Sequence, residues 1–194
     1  MGYTLFNLYK STDGGVTWSD ISPGSQLLGV HGKISSIVVD PKNDSRVWIT
    51  YEGFKKNGTS GLLNENIFYS SNGGTTWSAY FVSADNLPLS PTSKVVYQEG
   101  TNDRLFISTD EGVYMKDGPS VNWICYNKNL PHVVLTDLDI DYCNGKIAVS
   151  TYGRGIWESP LPDYGSGTSM DIPTKQTPLL QSKLTPQSCP SFLI

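Results

Sequence analysis

A chain of 194 residues with 16% charged and 11% aromatic residues, 19 Gly and 12 Pro has the composition of short strands punctuated by turns. That excludes a helical bundle, a coiled coil and a collagen-like chain. The formal net charge of −4 argues against a phosphate-binding surface, so no nucleic-acid partner is expected.

No apolar run approaches the roughly 20 residues of a membrane helix, so no membrane span is expected. The first residues, MGYTLFNLYK, lack a basic stretch followed by an apolar one, so no signal peptide is read there. Either the protein is cytoplasmic or its true start lies upstream. Cys125, Cys143 and Cys189 are an odd set without metal-ligand spacing, which reads as buried structural thiols or as a single Cys125–Cys143 disulfide.

In chain order the elements repeat. YKSTDGGVTW (9–18), FYSSNGGTTW (68–77) and YMKDGPSVNW (114–123) share an aromatic start, a turn and a closing Trp. RVWITYEG (46–53) and RLFISTDEG (104–112) lie upstream of the second and third, and KIAVSTYGRG (146–155) follows later. Each of these is preceded by an alternating or apolar run, ISSIVVD (34–40), SKVVYQE (93–99) or TDLDIDY (136–142). Four strands recurring at roughly 45 to 60 residues, each unit too small to bury its own faces, predict an all-β β-propeller of four-stranded antiparallel blades.

The tight turn has a local mechanism. In Ser11-Thr12-Asp13-Gly14-Gly15-Val16-Thr17-Trp18 the Asp carboxylate can accept backbone N–H bonds across the turn. The two glycines supply positive φ, and the Trp packs under the hairpin. Ser70, Asn72, Gly73, Gly74 and Trp77 repeat that chemistry; Asp117, Gly118 and Trp123 are a worn third copy, with Pro119 at the second glycine.

These residues carry a family resemblance. S-x-D-G-G-x-T-W resembles the Asp-box, or BNR repeat, of sialidases, sortilin-type receptors and xyloglucan-active glycoside hydrolases. Ser150-Thr151-Tyr152-Gly153-Arg154-Gly155-Ile156-Trp157 is similar to the terminal blade of secreted bacterial glycosyl hydrolase-like propellers. The resemblance covers about residues 3–162 and implies an extracellular or cell-surface location. It implies a non-catalytic glycan- or protein-binding or scaffold role, with a polysaccharide or an extracellular protein as partner. The alternative it implies is the C-terminal fragment of a xyloglucanase-like glycoside hydrolase. Asp-boxes are fold-stabilising turns found in enzymes and non-enzymes, so they do not decide between the two.

Within 1–162, residues 1–22 supply two outer strands of a first blade. Residues 34–80 and 93–127 supply whole blades, and 136–160 supply three strands of a last one. Closed propellers have about 4–8 blades, so the chain reads as the C-terminal part of a larger propeller partnered by upstream blades. A small four-bladed ring is the other reading. An incomplete ring leaves an apolar face uncovered on both the first and the last sheet, and open edges at 3–11 and 156–160. Residues 163–194, rich in Pro, Ser and Thr, read as a linker or disordered tail.

Strand order sends the Asp-box turns to one end and the remaining connections, around 23–33, 51–66, 81–92, 110–112, 128–135 and 152–155, to the other. The longest, 52–66, exceeds a minimal turn by about ten residues, which is where function tends to be placed. Tyr51, Asp110 and Tyr152 are read as equivalent ends of the second strands, followed by Glu52, Glu111 and Arg154. Together with His31 and His132 they form the candidate ligand-binding set, since an aromatic platform with hydrogen-bonding neighbours suits a sugar. Arg46 and Arg104 begin second strands at the opposite end, so with Arg154 no single arginine cluster forms.

Asp137, Asp139 and Asp141 alternate on one face, in register with Ser36, Val38 and Asp40 and with Val95, Tyr97 and Glu99. Asp137 and Asp139 are therefore the candidate acid/base pair. No metal or cofactor is assigned, although the triplet could collect Ca²⁺ without the Gly and Glu of an EF-hand loop. Asn43-Asp44-Ser45 and Asn57-Gly58-Thr59 match the glycosylation acceptor pattern.

Overall fold

The computed structural model describes residues 7–23, 30–31, 33–56, 62–63, 66–80, 86–118 and 122–162; for 30–31, 54–56 and 62–63 this is the backbone alone. The chain is all-β, and two of its repeats form complete four-stranded antiparallel sheets arranged as propeller blades. A first hairpin pairs β1 (Tyr9–Lys10) with β2 (Ser19–Asp20). The second blade runs β4 (Ile34–Asp40), β5 (Asn43–Tyr51), β8 (Ile67–Ser70), β9 (Ser78–Ala79). The third runs β10 (Thr92–Gln98), β11 (Arg104–Thr109), β12 (Gly112–Lys116), β13 (Ile124–Cys125). The fourth runs β14 (Leu135–Asp141), β15 (Lys146–Thr151), β16 (Gly155–Pro160). A small sheet joins β3 (Val30–His31), β6 (Phe54–Lys56) and β7 (Leu62–Leu63). Composition and the short alternating runs did not foretell it, because it forms from two connections distant in sequence. Residues 163–194, and the loop positions 57–61, lie outside the described residues.

The blades stack through apolar faces. Trp48, Ile67, Val38 and Tyr69 of the second blade pack against Val95, Tyr97, Leu105, Ile107 and Trp123 of the third. Phe106 and Val113 of the third pack against Leu138, Ile140, Ile147 and Val149 of the fourth. Leu8 and Ile21 of the hairpin pack against Val47, Ile49, Phe68 and Trp77 of the second. Burial of such surface at roughly 25 cal/mol per Å² is the main stabilising term for units this small.

The innermost strands are seamed by a repeated bulge. Register shifts fall at Ser35, Ser93 and Thr136, each one residue into its strand. Each bulge hydroxyl lies against a hydroxyl of the next strand: Thr50 at 2.9 Å, Ser108 at 3.2 Å and Ser150 at 2.7 Å. Ser35 also donates to the Thr92 carbonyl at 2.6 Å, and Ser93 to the Leu135 carbonyl at 2.7 Å, so each reaches the following blade. A bulge leaves one residue without a ladder partner, and here that residue makes the bond between blades.

The turn end is bonded internally. Ser11 donates to Asp13 at 2.8 Å, and Asp13 accepts the Thr17 N–H at 2.9 Å. Ser70 and Asn72 repeat this, with the Thr76 N–H at 2.9 Å. Gly14, Gly15, Gly73 and Gly74 all have positive φ. In the third copy Asp117 accepts from Arg104, at 3.1 and 2.7 Å. Arg104 and Gln98 also both donate to the Pro162 carbonyl, at 3.2 and 3.1 Å, pinning the chain as it leaves the fourth blade.

The pairing corrects several expectations. Tyr51 pairs with Ile34 as Thr109 pairs with Thr92 and Thr151 with Leu135. Tyr51 is thus equivalent to Thr109 and Thr151, and Glu52 to Asp110 and Tyr152. In the third blade the positions matching Asp137, Asp139 and Asp141 are Lys94, Val96 and Gln98, one residue earlier than expected, as the shared bulges at Ser93 and Thr136 show. Trp77 and Trp123 are buried, but Trp18 is 62% exposed. The outward face of the last sheet is polar and not apolar: Asp137, Ser150 and Ile156 align across it, as do Asp139, Ala148 and Glu158. Cys125 is a free, exposed thiol on an outermost strand. Neither a buried Cys125 nor a Cys125–Cys143 bridge is therefore found, and Cys189 lies outside the described residues.

Candidate functional site

The end opposite the turns collects the connections between second and third strands and those between blades. In the third blade, Thr109 forms the turn. Its hydroxyl donates to the Gly112 carbonyl at 2.9 Å and accepts the Glu111 and Gly112 N–H groups, each at 3.1 Å. Thr151 does the same in the fourth blade, donating to Gly155 at 2.7 Å and accepting from Arg154 at 3.2 Å. A threonine at this position closes a short turn and projects the residues after it outward.

Glu52, Asp110 and Tyr152 occupy the projecting position. The Glu52 and Tyr152 N–H groups bond the carbonyls of Lys33 and Val134 at 3.0 and 2.9 Å, while the Asp110 N–H bonds the Ser90 hydroxyl at 3.1 Å. Glu52 pairs with Lys33 at 3.2 Å, both partly exposed. Partial burial raises the Asp110 carboxyl above its usual range, and the neighbouring negative charges of Glu52 and Glu111 add to this. Asn66, buried at the start of β8, donates to the Ser90 carbonyl at 2.7 Å and holds the floor beneath these residues.

The expected residues divide into groups. Glu52, Asp110 and Glu111 come together electrostatically. Tyr152 is 78% exposed, and Arg154 is exposed beside it, its carbonyl accepting the Trp157 indole N–H at 3.0 Å. His132 is exposed in the connection before β14. His31 lies in β3, and its side chain is outside the described residues. Tyr51 is not a platform. It is 2% exposed and stacks edge-on to Phe68, and burial pushes its phenol pKa upward.

Asp137 and Asp139 lie on one face of β14, opposite Ser150 and Ala148. Each carboxylate accepts the N–H of the residue that follows it, Leu138 at 2.9 Å and Ile140 at 2.8 Å. Asp137 also pairs with Lys94 at 3.3 Å. Asp141 is spent on its own turn, where Asn144 and the Cys143 N–H bond it and lower its pKa. Among the described residues no group of three or more His, Cys, Asp and Glu could hold a metal ion. A hollow lined by Asn86, Tyr114, Asn122, Trp123, Ile124 and Cys125 lies along the outer strands of the third blade.

Sequence reasoning missed Asn66, Ser90 and Thr109, which build the floor and the turn. The recurring T-x-x-G and T-x-x-x-G spacings of 109–112 and 151–155 were the available signal. It also missed Asp103, whose partner Arg46 was read only as a strand start.

No family model matches the chain, and no curated protein does. Among solved structures, the chain is similar to a crystal structure of an ancestral GH74 enzyme, at 16% identity and a TM-score of 0.47. The match covers 65% of this chain and 14% of that enzyme.

Proposed function

We propose that this chain is a non-catalytic binding or scaffold part of a secreted or cell-surface Asp-box propeller. Its ligand, a polysaccharide or an extracellular protein, is recognised at the loop end. One observation carries the reading: the two ends of the blades use their polar side chains differently. At the turn end Asp13, Asn72, Arg46, Arg104 and Asp117 are engaged in bonds within the fold. At the loop end Tyr152 and Glu111 remain exposed on short turns, and Glu52 is exposed at the start of the long connection. An exposed tyrosine offers a face to the apolar C–H groups of a pyranose, and exposed carboxylates can accept from its hydroxyls.

A second reading, a glycoside hydrolase fragment, has one observation in its favour. Asp110 is raised beside Glu52, and a raised carboxyl is what a general acid requires. A glycan array followed by an assay of reducing-sugar release from each bound polymer separates the two. Binding that Tyr152→Ala abolishes, with no release, is the expected outcome. Release that Asp110→Asn abolishes would replace the binding reading with the hydrolase.

A further inference from the structure

Glycine follows asparagine at three places in the chain, 57–58, 72–73 and 144–145. Such a pair is open to an attack from within the backbone. With no side chain on the glycine to obstruct it, the glycine nitrogen can reach the Cγ of the preceding asparagine. The pair at 57–58 lies outside the described residues. The other two sit in turns at the same end of the blades, one between β8 and β9 and one between β14 and β15. The fold treats them differently.

Asn72 is held on both atoms of its amide. Its Oδ1 accepts from the Ser70 hydroxyl at 3.0 Å and from the Thr76 N–H at 2.9 Å, and its Nδ2 donates to the Thr76 hydroxyl at 2.8 Å. The nitrogen that would attack is occupied too, because the buried Gly73 donates its N–H to the Ser45 carbonyl at 2.8 Å. Asn144 is exposed and less constrained. Its Nδ2 and its backbone N–H both go to the Asp141 carboxylate, at 2.5 and 3.1 Å. Among the described residues no hydrogen bond reaches the Asn144 Oδ1, and none engages the Gly145 N–H.

We infer that Asn144 is a site of spontaneous deamidation, and that the bonds around Asn72 and Gly73 protect the other pair from the same reaction. The step needs only water. The Gly145 nitrogen loses its proton and bonds to the Asn144 Cγ; the Cγ–Nδ2 bond breaks and ammonia leaves, closing a succinimide ring. Water then opens either ring carbonyl, giving aspartate at 144 or an isoaspartate whose backbone runs through the former side chain. Both products set a second carboxylate beside Asp141 where an amide had donated to it. Isoaspartate also lengthens the backbone just ahead of the Gly145 carbonyl, which accepts the Leu161 N–H at 2.8 Å. At Asn72 the attack must first open the bonds to Ser70, Thr76 and Ser45, so only locally opened molecules react there.

The test is to age the whole 194-residue chain at mildly alkaline pH, where the attacking nitrogen loses its proton more readily, and to follow its peptides by mass spectrometry. The peptide carrying Asn144 should gain about 1 Da at least about tenfold faster than the peptide carrying Asn72. Chromatography of that peptide should resolve aspartate from isoaspartate at position 144. In concentrated urea, which removes the bonds around both pairs, the two rates should become similar. Equal rates in the folded chain overturn the proposal, as does an Asn144 that stays intact. A gap between the two sites that persists unchanged in urea overturns it as well, since the fold would then not be its cause.

Discussion

Arg46 of the second blade and Asp103 of the third lie in a two-pronged ion pair, with N···O distances of 2.8 and 2.6 Å. Arg46 also holds Asp40 of its own blade at 2.9 Å and sits over the Trp48 ring at 5.1 Å. The Tyr97 hydroxyl donates to Asp103 from the other side at 3.0 Å. Burial, with the hydrogen bond to Asp103, pushes the Tyr97 phenol up to about 12. This clasp ties two blades at their turn ends, beside the contact between the Trp48 and Tyr97 rings at 5.7 Å.

The clasp predicts a pH dependence. The hydrogen bond from Arg46 holds the Asp103 carboxyl below its usual range, so its contribution is fully present above the unfolded carboxylate pKa of about 4. It is lost as pH falls through the lower folded value. Asp103→Asn should cost about 1–3 kcal/mol at neutral pH and flatten the acid limb of the stability curve. Urea melts of both proteins at pH 7 and pH 3 check it; an equal loss at both pH values would show that the charge is not what matters.

Asp110 predicts the opposite sign. A carboxyl raised by burial and by Glu52 and Glu111 disfavours folding as pH rises from the unfolded pKa through the folded one. Asp110→Asn should therefore leave stability unchanged at low pH and increase it at pH 7, by less than about 1 kcal/mol for a partly exposed group. Thermal melts across pH 3–7 measure the difference.

Two glycines separate strain from crowding. Gly14 has φ +72° and open space around an added Cβ, so Gly14→Ala should cost only the left-handed penalty, about 1–2 kcal/mol. Gly74 has φ +92°, and its added Cβ would lie 2.6 Å from Ile21 Cδ1 and 2.9 Å from Ile21 Cβ. Gly74→Ala should cost the same penalty plus about 1–3 kcal/mol for displaced packing. Denaturant midpoints that rank the two equally would mean that Ile21 moves freely.

Trp77 reports on the contact between hairpin and second blade. Its indole N–H donates to the Ile21 carbonyl at 2.7 Å, and its ring is buried among Ile49, Phe68 and Leu8. Trp77→Ala should cost about 3–5 kcal/mol. Trp77→Phe, which keeps most of the packing, should recover much of that loss in the same denaturant titration.

The turns were legible because their chemistry is local. Ser11 and Asp13, and Ser70 and Asn72, bond backbone within a few residues, and the glycine pairs advertise the positive φ. Strands such as RVWITY and RLFIST were legible as apolar runs with a charged start. Tyr51 was misplaced because the connections after the second strands differ in length. Gly53 lies two residues after Tyr51 and Gly112 three after Thr109, so aligning them on the glycine slips the strand by one. Nor does a bulge leave a mark in an alternating pattern that is itself imperfect. Asp103 was missed for another reason: its partner lies in a different blade, and no local rule joins residues that far apart.

The grip of Arg104 and Gln98 on the Pro162 carbonyl gives the molecule a polarity along the axis of its blades. The backbone departs at the turn end, while Glu52, Asp110 and Tyr152 stand at the other. The last described residue, Pro162, is thus gripped at one end of the blades, and the loop end stands at the far side like the working face of a tool held by its handle.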